Sequence, residues 1–125
     1  MSIYEITCNK SGARYIGSTI RSLEARMLDH EQKYARWAQN PRGPLPSQAC
    51  TILALGDYSM RELEKVEGCD AKQLLRRERY YCFNLECINT FLPGTRRRLV
   101  EAKANAVKQR APMFIGCGFS DVKAA

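Results

Sequence analysis

The first eighteen residues constrain the fold more than any other stretch. Residues 2–8 (SIYEITC) mix β-branched and aromatic side chains in near alternation, the pattern of a half-buried strand. Asn9-Lys10-Ser11-Gly12 is turn chemistry, and residues 13–18 (ARYIGS) read as the returning strand. The chain therefore opens on an antiparallel hairpin, which needs a third strand and packed helices to be stable. Gly17 stands where a strand should continue. Glycine there calls for a bulge or for close approach by another backbone or a ligand.

The rest of the chain supplies those partners. Ser22 is placed to cap a helix running to about Ala38, with Leu23, Met27, His30, Tyr34 and Trp37 on one stripe. Residues 40–46 (NPRGPLP) are a surface loop. Residues 47–55 are a short apolar segment, read as helical, and residues 59–66 can form a third strand. Asp70 with Gln73 three residues on is a capping box for a helix to about Glu86. Residues 87–90 are extended, and a tail helix over about 97–110 stops near Pro112. The expected fold is α+β: a small, three-stranded, mainly antiparallel sheet flanked by helices, with a basic C-terminal helix and tail. At 125 residues there is room for one domain. We divide it into residues 1–92, the globular part, and residues 93–125, the basic tail. Apolar Met113, Phe114, Ile115 and Phe119 would let that tail dock on the core.

Charge is uneven. The net charge is +7, and residues 93–125 carry most of it through Arg96, Arg97, Arg98, Lys103, Lys108, Arg110 and Lys123 against Glu101 and Asp121. Such a tail suits the phosphate field of nucleic acid, or simply a solvated helix. The six cysteines include no C-x-x-C, and His30 is the only histidine, so no structural zinc is expected. The N-terminus shows no signal peptide, which favours reduced thiols and an intracellular location, cytoplasmic or nuclear. No apolar run reaches the roughly 20 residues of a membrane helix.

A few polar residues occupy positions that core packing would give to apolar ones. At about 100° per residue, Glu78 falls in the middle of the sector formed by Leu74, Tyr81 and Leu85. A carboxylate there must be paired, protonated or bound to a metal. The plain structural alternative is a buried ion pair with an arginine. His30 lies on the first helix's apolar stripe, and Arg26 four residues earlier emerges beside it. Tyr4 and Tyr15 stand on adjacent strands, as core aromatics or with their hydroxyls facing the same polar group. A set of this kind suits phosphodiester hydrolysis. Glu78 would hold a hard divalent cation, Arg26 would neutralise the phosphate, and a tyrosine or His30 would deprotonate or orient water.

These residues resemble the GIY-YIG nuclease family. The resemblance is carried by Ile3-Tyr4, by Tyr15-Ile16-Gly17-Ser18-Thr19, by Arg26-Met27-Leu28-Asp29-His30, and by Glu78 followed by Asn89. It covers about residues 2–90, with Ser2 in place of the leading glycine. It implies a three-stranded antiparallel sheet and hydrolytic, metal-dependent DNA cleavage with one divalent ion, Mg²⁺ or Mn²⁺. Tyr4, Tyr15, Arg26, His30 and Glu78 would be the catalytic set, with Glu78 the metal ligand. Gly17 would allow close packing at the site, and Asn89 would help order it. DNA would also be held by Arg96, Arg97 and Arg98, and double-strand cleavage or targeting would fall to a homodimer or a partner protein. The alternatives are a catalytically silent nucleic-acid-binding module of the same fold and a non-enzymatic basic interaction domain.

Overall fold

A computed structural model of the protein describes residues 1–109. The opening hairpin forms as β1 (Ser2–Cys8) and β2 (Arg14–Thr19). Helix α1 (Leu23–Gln39) and the short α2 (Ala49–Leu53) come next, then β3 (Tyr58–Lys65), α3 (Ala71–Asn84) and α4 (Leu99–Gln109). The starts of α1 and α3 are capped as their sequences require. Ser22 Oγ accepts from the Ala25 amide at 3.1 Å, and Asp70 and Gln73 form a reciprocal box at 2.8 Å in each direction.

The strand order is β2-β1-β3, with both pairings antiparallel. The fold is α+β in the sense expected, and β2 is an edge of the sheet. The strand irregularity falls away from Gly17: pairing with β3 shifts between Ile3 and Tyr4, leaving Leu63 as the extra residue. Gly17 instead meets the alternative requirement, close approach.

Strand alternation divides the core into two layers. Ile3 and Ile16 face α3 and α4, joining Val66, Leu74, Cys82, Leu92 and Leu99. Tyr4, Ile6 and Cys8 face α1 and α2, joining Ala49 and Ile52, with Leu23 and Met27 packed alongside. Full burial of each aliphatic contributes roughly 1.5–3 kcal/mol. Glu5, on the α3 side, is also buried, but Arg14 at 2.6 Å and Arg61 at 2.7 Å pair with it. Helix α4 turns Leu99, Ala102 and Ala106 inward, so this part of the basic segment is docked. The expected stop near Pro112, with Arg110, Lys123 and the apolar residues at 113–119, lies outside the described residues. Among the described residues no helix is long and apolar enough to cross a membrane.

Candidate active site

The site is built around the smallest residue in it. Tyr4 lies directly opposite Gly17 in the β1–β2 ladder, on the α1 face of the sheet. A Cβ on Gly17 would stand 2.5 Å from Tyr4 Cζ and closer still to Oη. The tyrosine ring lies across the space that any other residue would fill, which is why the strand carries glycine here. Tyr4 is fully buried, and the ring ends against α1.

There its hydroxyl meets the two residues that share one helical face. Arg26 Nε donates to Tyr4 Oη at 3.2 Å, and Tyr4 Oη is 2.8 Å from His30 Nε2. A guanidinium only donates. The Tyr4 hydroxyl therefore accepts from Arg26 and shares its second hydrogen bond with Nε2, whereas His30 Nδ1 is buried without a hydrogen-bond partner among the described residues. Burial, then the positive charges of Arg26 and Lys33, push the His30 pKa down to about 4, so the ring is neutral near pH 7. Burial raises the Tyr4 pKa, and Arg26 opposes that rise.

Tyr15 stands edge-on to His30, ring centroids 6.0 Å apart. Unlike Tyr4 it borders open space. With Glu78, Asn89, Gln48, Thr90, Phe91 and Pro93 it lines a recess of about 260 Å³. Burial raises its pKa, with the charges of Tyr4 and Glu78 adding to the effect. Glu78 comes from α3, on the other face of the sheet, and reaches the recess past the β2 edge. Ser18 Oγ donates to Glu78 Oε1 at 2.5 Å. Burial raises the Glu78 pKa, opposed by the Ser18 hydrogen bond and by Arg26 and Arg79.

Asn89 closes the edge. Its Oδ1 accepts from the Ile16 amide at 3.0 Å, and its Nδ2 donates to the Ile16 carbonyl at 2.8 Å. The Ile88 amide donates to the Arg14 carbonyl at 2.7 Å. Residues 88–89 thus satisfy the outer backbone groups of β2 as a further strand would. Tyr15 and Gly17 flank the clamped residue, so the clamp fixes the strand segment that presents them.

A family model described as the GIY-YIG catalytic domain matches residues 1–86. The chain belongs to the GIY-YIG nuclease family. Comparisons with curated proteins and with solved structures give no match. Within this GIY-YIG domain Tyr4, Gly17, Arg26 and His30 are in one contact group, and Tyr15 and Glu78 line the adjoining recess, joined by Asn89 just beyond the family match. Arg96, Arg97 and Arg98 are exposed on the segment after it, beyond the family match.

The residues also sort in ways their spacing does not reveal. Glu78 is bonded to a serine hydroxyl, while the arginine next to it, Arg77, pairs with Glu64 at 2.7 Å. Tyr80, which the helical wheel turns away from the core, is buried, with the Arg77 guanidinium 4.5 Å from its ring centroid. Ser18 is not marked by any polar-in-apolar pattern. Its signal is strand alternation: next to Gly17, it must face the opposite helix layer, where Glu78 lies.

Glu78 is the carboxylate that lines the recess, and no group of three His, Cys, Asp or Glu gathers among the described residues. A single carboxylate beside an open recess has the chemistry for a hydrated divalent ion rather than a caged one. Mg²⁺ keeps several waters and binds through one or two carboxylates plus substrate phosphate. Ser18 occupies one oxygen of Glu78, and the recess lies beside the group.

Proposed function

We propose that this chain is a metal-dependent endonuclease that hydrolyses phosphodiester bonds in DNA. The observation that carries the proposal is that Tyr15 and Glu78 line one accessible recess while the Arg26 charge, held beside it by Tyr4, is felt by both. A divalent ion on Glu78 would supply charge for the phosphate oxygens and a more acidic water. The protein's own groups do the rest. Tyr4 holds Arg26 by Nε; Nη1 lies 3.9 Å from Asp29, and Nη2 would be the nitrogen for a phosphate oxygen. Neutral His30, hydrogen-bonded to the Tyr4 hydroxyl, fixes that grip. Tyr4 is sealed from solvent, whereas Tyr15 faces the recess, so Tyr15 is the tyrosine we assign to orient the attacking water. Arg96, Arg97 and Arg98 would hold the DNA backbone beside the recess.

Plasmid nicking in Mg²⁺ or Mn²⁺ tests this, wild type against Glu78→Ala. Metal-dependent nicking that Glu78→Ala loses is expected. DNA binding with no cleavage of duplex, branched or single-stranded DNA by the wild type would make the chain a silent binding module instead.

A further inference from the structure

Phe91 is half exposed, 50 %, on the wall of the same recess as Tyr15 and Glu78. What sets this ring apart from the other exposed apolar side chains is its place on the recess and the fixed backbone that carries it. Its neighbours Leu92 and Pro93 are buried, and Leu92 and Leu99 both enter the α3-side core. Between them the backbone closes into a tight loop: Leu99 amide to Thr90 carbonyl at 2.9 Å, Leu92 amide to Arg97 carbonyl at 2.8 Å, and Thr95 amide to Leu92 carbonyl at 3.0 Å. Arg79 Nε fastens the Pro93 carbonyl from α3 at 2.8 Å. Phe91 bridges to Arg98 across this loop. An aromatic face on a rigid support, beside a phosphodiester site and backed by three exposed arginines, has the two components of a single-strand nucleic-acid platform: stacking surface and backbone charge.

We propose that Phe91 stacks on an unpaired nucleobase beside the scissile phosphate, and that the preferred substrate is DNA presenting such a nucleotide, as at a flap or a junction. This rests on the nuclease reading and names its substrate class. In paired duplex the base faces are already stacked, so the ring would find no partner without unstacking a step. Arg98, opposite Phe91 in the bridge, would take a phosphate of the same strand.

The test uses the full chain carrying Glu78→Gln, so that binding is read without cleavage. The probes are a flap oligonucleotide with 2-aminopurine at the single-strand boundary and a paired duplex of the same sequence. The expected result is quenched 2-aminopurine emission on the flap. Adding Phe91→Ala should lose the quenching and weaken flap binding on the order of ten-fold, leaving duplex binding nearly unchanged. Phe91→Trp should restore both signals. Equal binding by the Phe91→Ala protein and its parent, or equal losses on flap and duplex, would overturn the platform. Wild-type cleavage in Mg²⁺ is scored separately. Cleavage without Phe91 dependence removes only the platform, while Phe91-dependent stacking without any cleavage removes only the nuclease reading.

Discussion

Tyr4 and Gly17 face each other across two strands with no room for a methyl group between them, the ring carbon Cζ lying 2.5 Å from where a Cβ would stand. Gly17→Ala must therefore move the ring, and the ring's other end is the hydrogen bond to His30 and the acceptor for Arg26. We expect a loss of about 1–3 kcal/mol by urea denaturation, the range for overpacking. Metal-dependent nicking should fall by more than the unfolded fraction explains. Full activity in a folded Gly17→Ala protein would show that the Tyr4 position is unimportant.

Arg26 separates affinity from rate. Its guanidinium is held beside the recess by Tyr4, while on the nuclease reading the other basic residues would supply most of the attraction to DNA. Arg26→Ala should reduce cleavage by at least about 100-fold, the scale for removing a transition-state charge donor. DNA affinity by fluorescence anisotropy should change only a few-fold. Equal losses would reduce Arg26 to one phosphate contact among several.

Glu78 is held by a serine in a place that disfavours its charge. Replacing it with glutamine keeps a group able to bond Ser18 and removes a desolvated carboxylate. Thermal stability should stay level or rise, while Mg²⁺-dependent cleavage is lost. A large stability loss with activity retained would contradict a metal-binding role.

Asn89 is expected to act through Ile16. Asn89→Ala leaves the Ile16 amide and carbonyl without their partner, at a cost of about 1–3 kcal/mol. Hydrogen exchange at the Ile16 amide should accelerate selectively, ahead of amides in the β1–β3 pairing. Unchanged protection there would mean that the backbone bond from Ile88 to Arg14 holds the edge without it.

His30 makes stability pH-dependent in a set direction. Its folded pKa of about 4 lies below the unfolded value of 6.5, so between these the unfolded chain binds more protons. The cost of keeping the ring neutral is absent above pH 6.5 and grows as pH falls toward 4, reaching up to about 3 kcal/mol. Urea melts should show stability falling through this window. A His30→Gln protein, lacking the titrating ring, should show a flatter profile there.

Local sequence determined the strands, caps and helices, because each is set by side chains within a turn or two. The alternation of residues 2–8, the Ser22 cap and the Asp70–Gln73 box needed nothing distant to be legible. Periodicity also exposed His30 and Glu78 as polar groups on apolar faces. Tertiary structure decided what those groups meet. Glu78 finds Ser18 sixty residues away across the β2 edge, and Asn89 finds the Ile16 backbone at a separation of 73. It also distinguished two tyrosines alike in sequence, sealing Tyr4 under α1 and leaving Tyr15 on the recess. A side chain's face follows from its own backbone period, but its partner depends on how separate elements pack, and that packing is a property of the whole core.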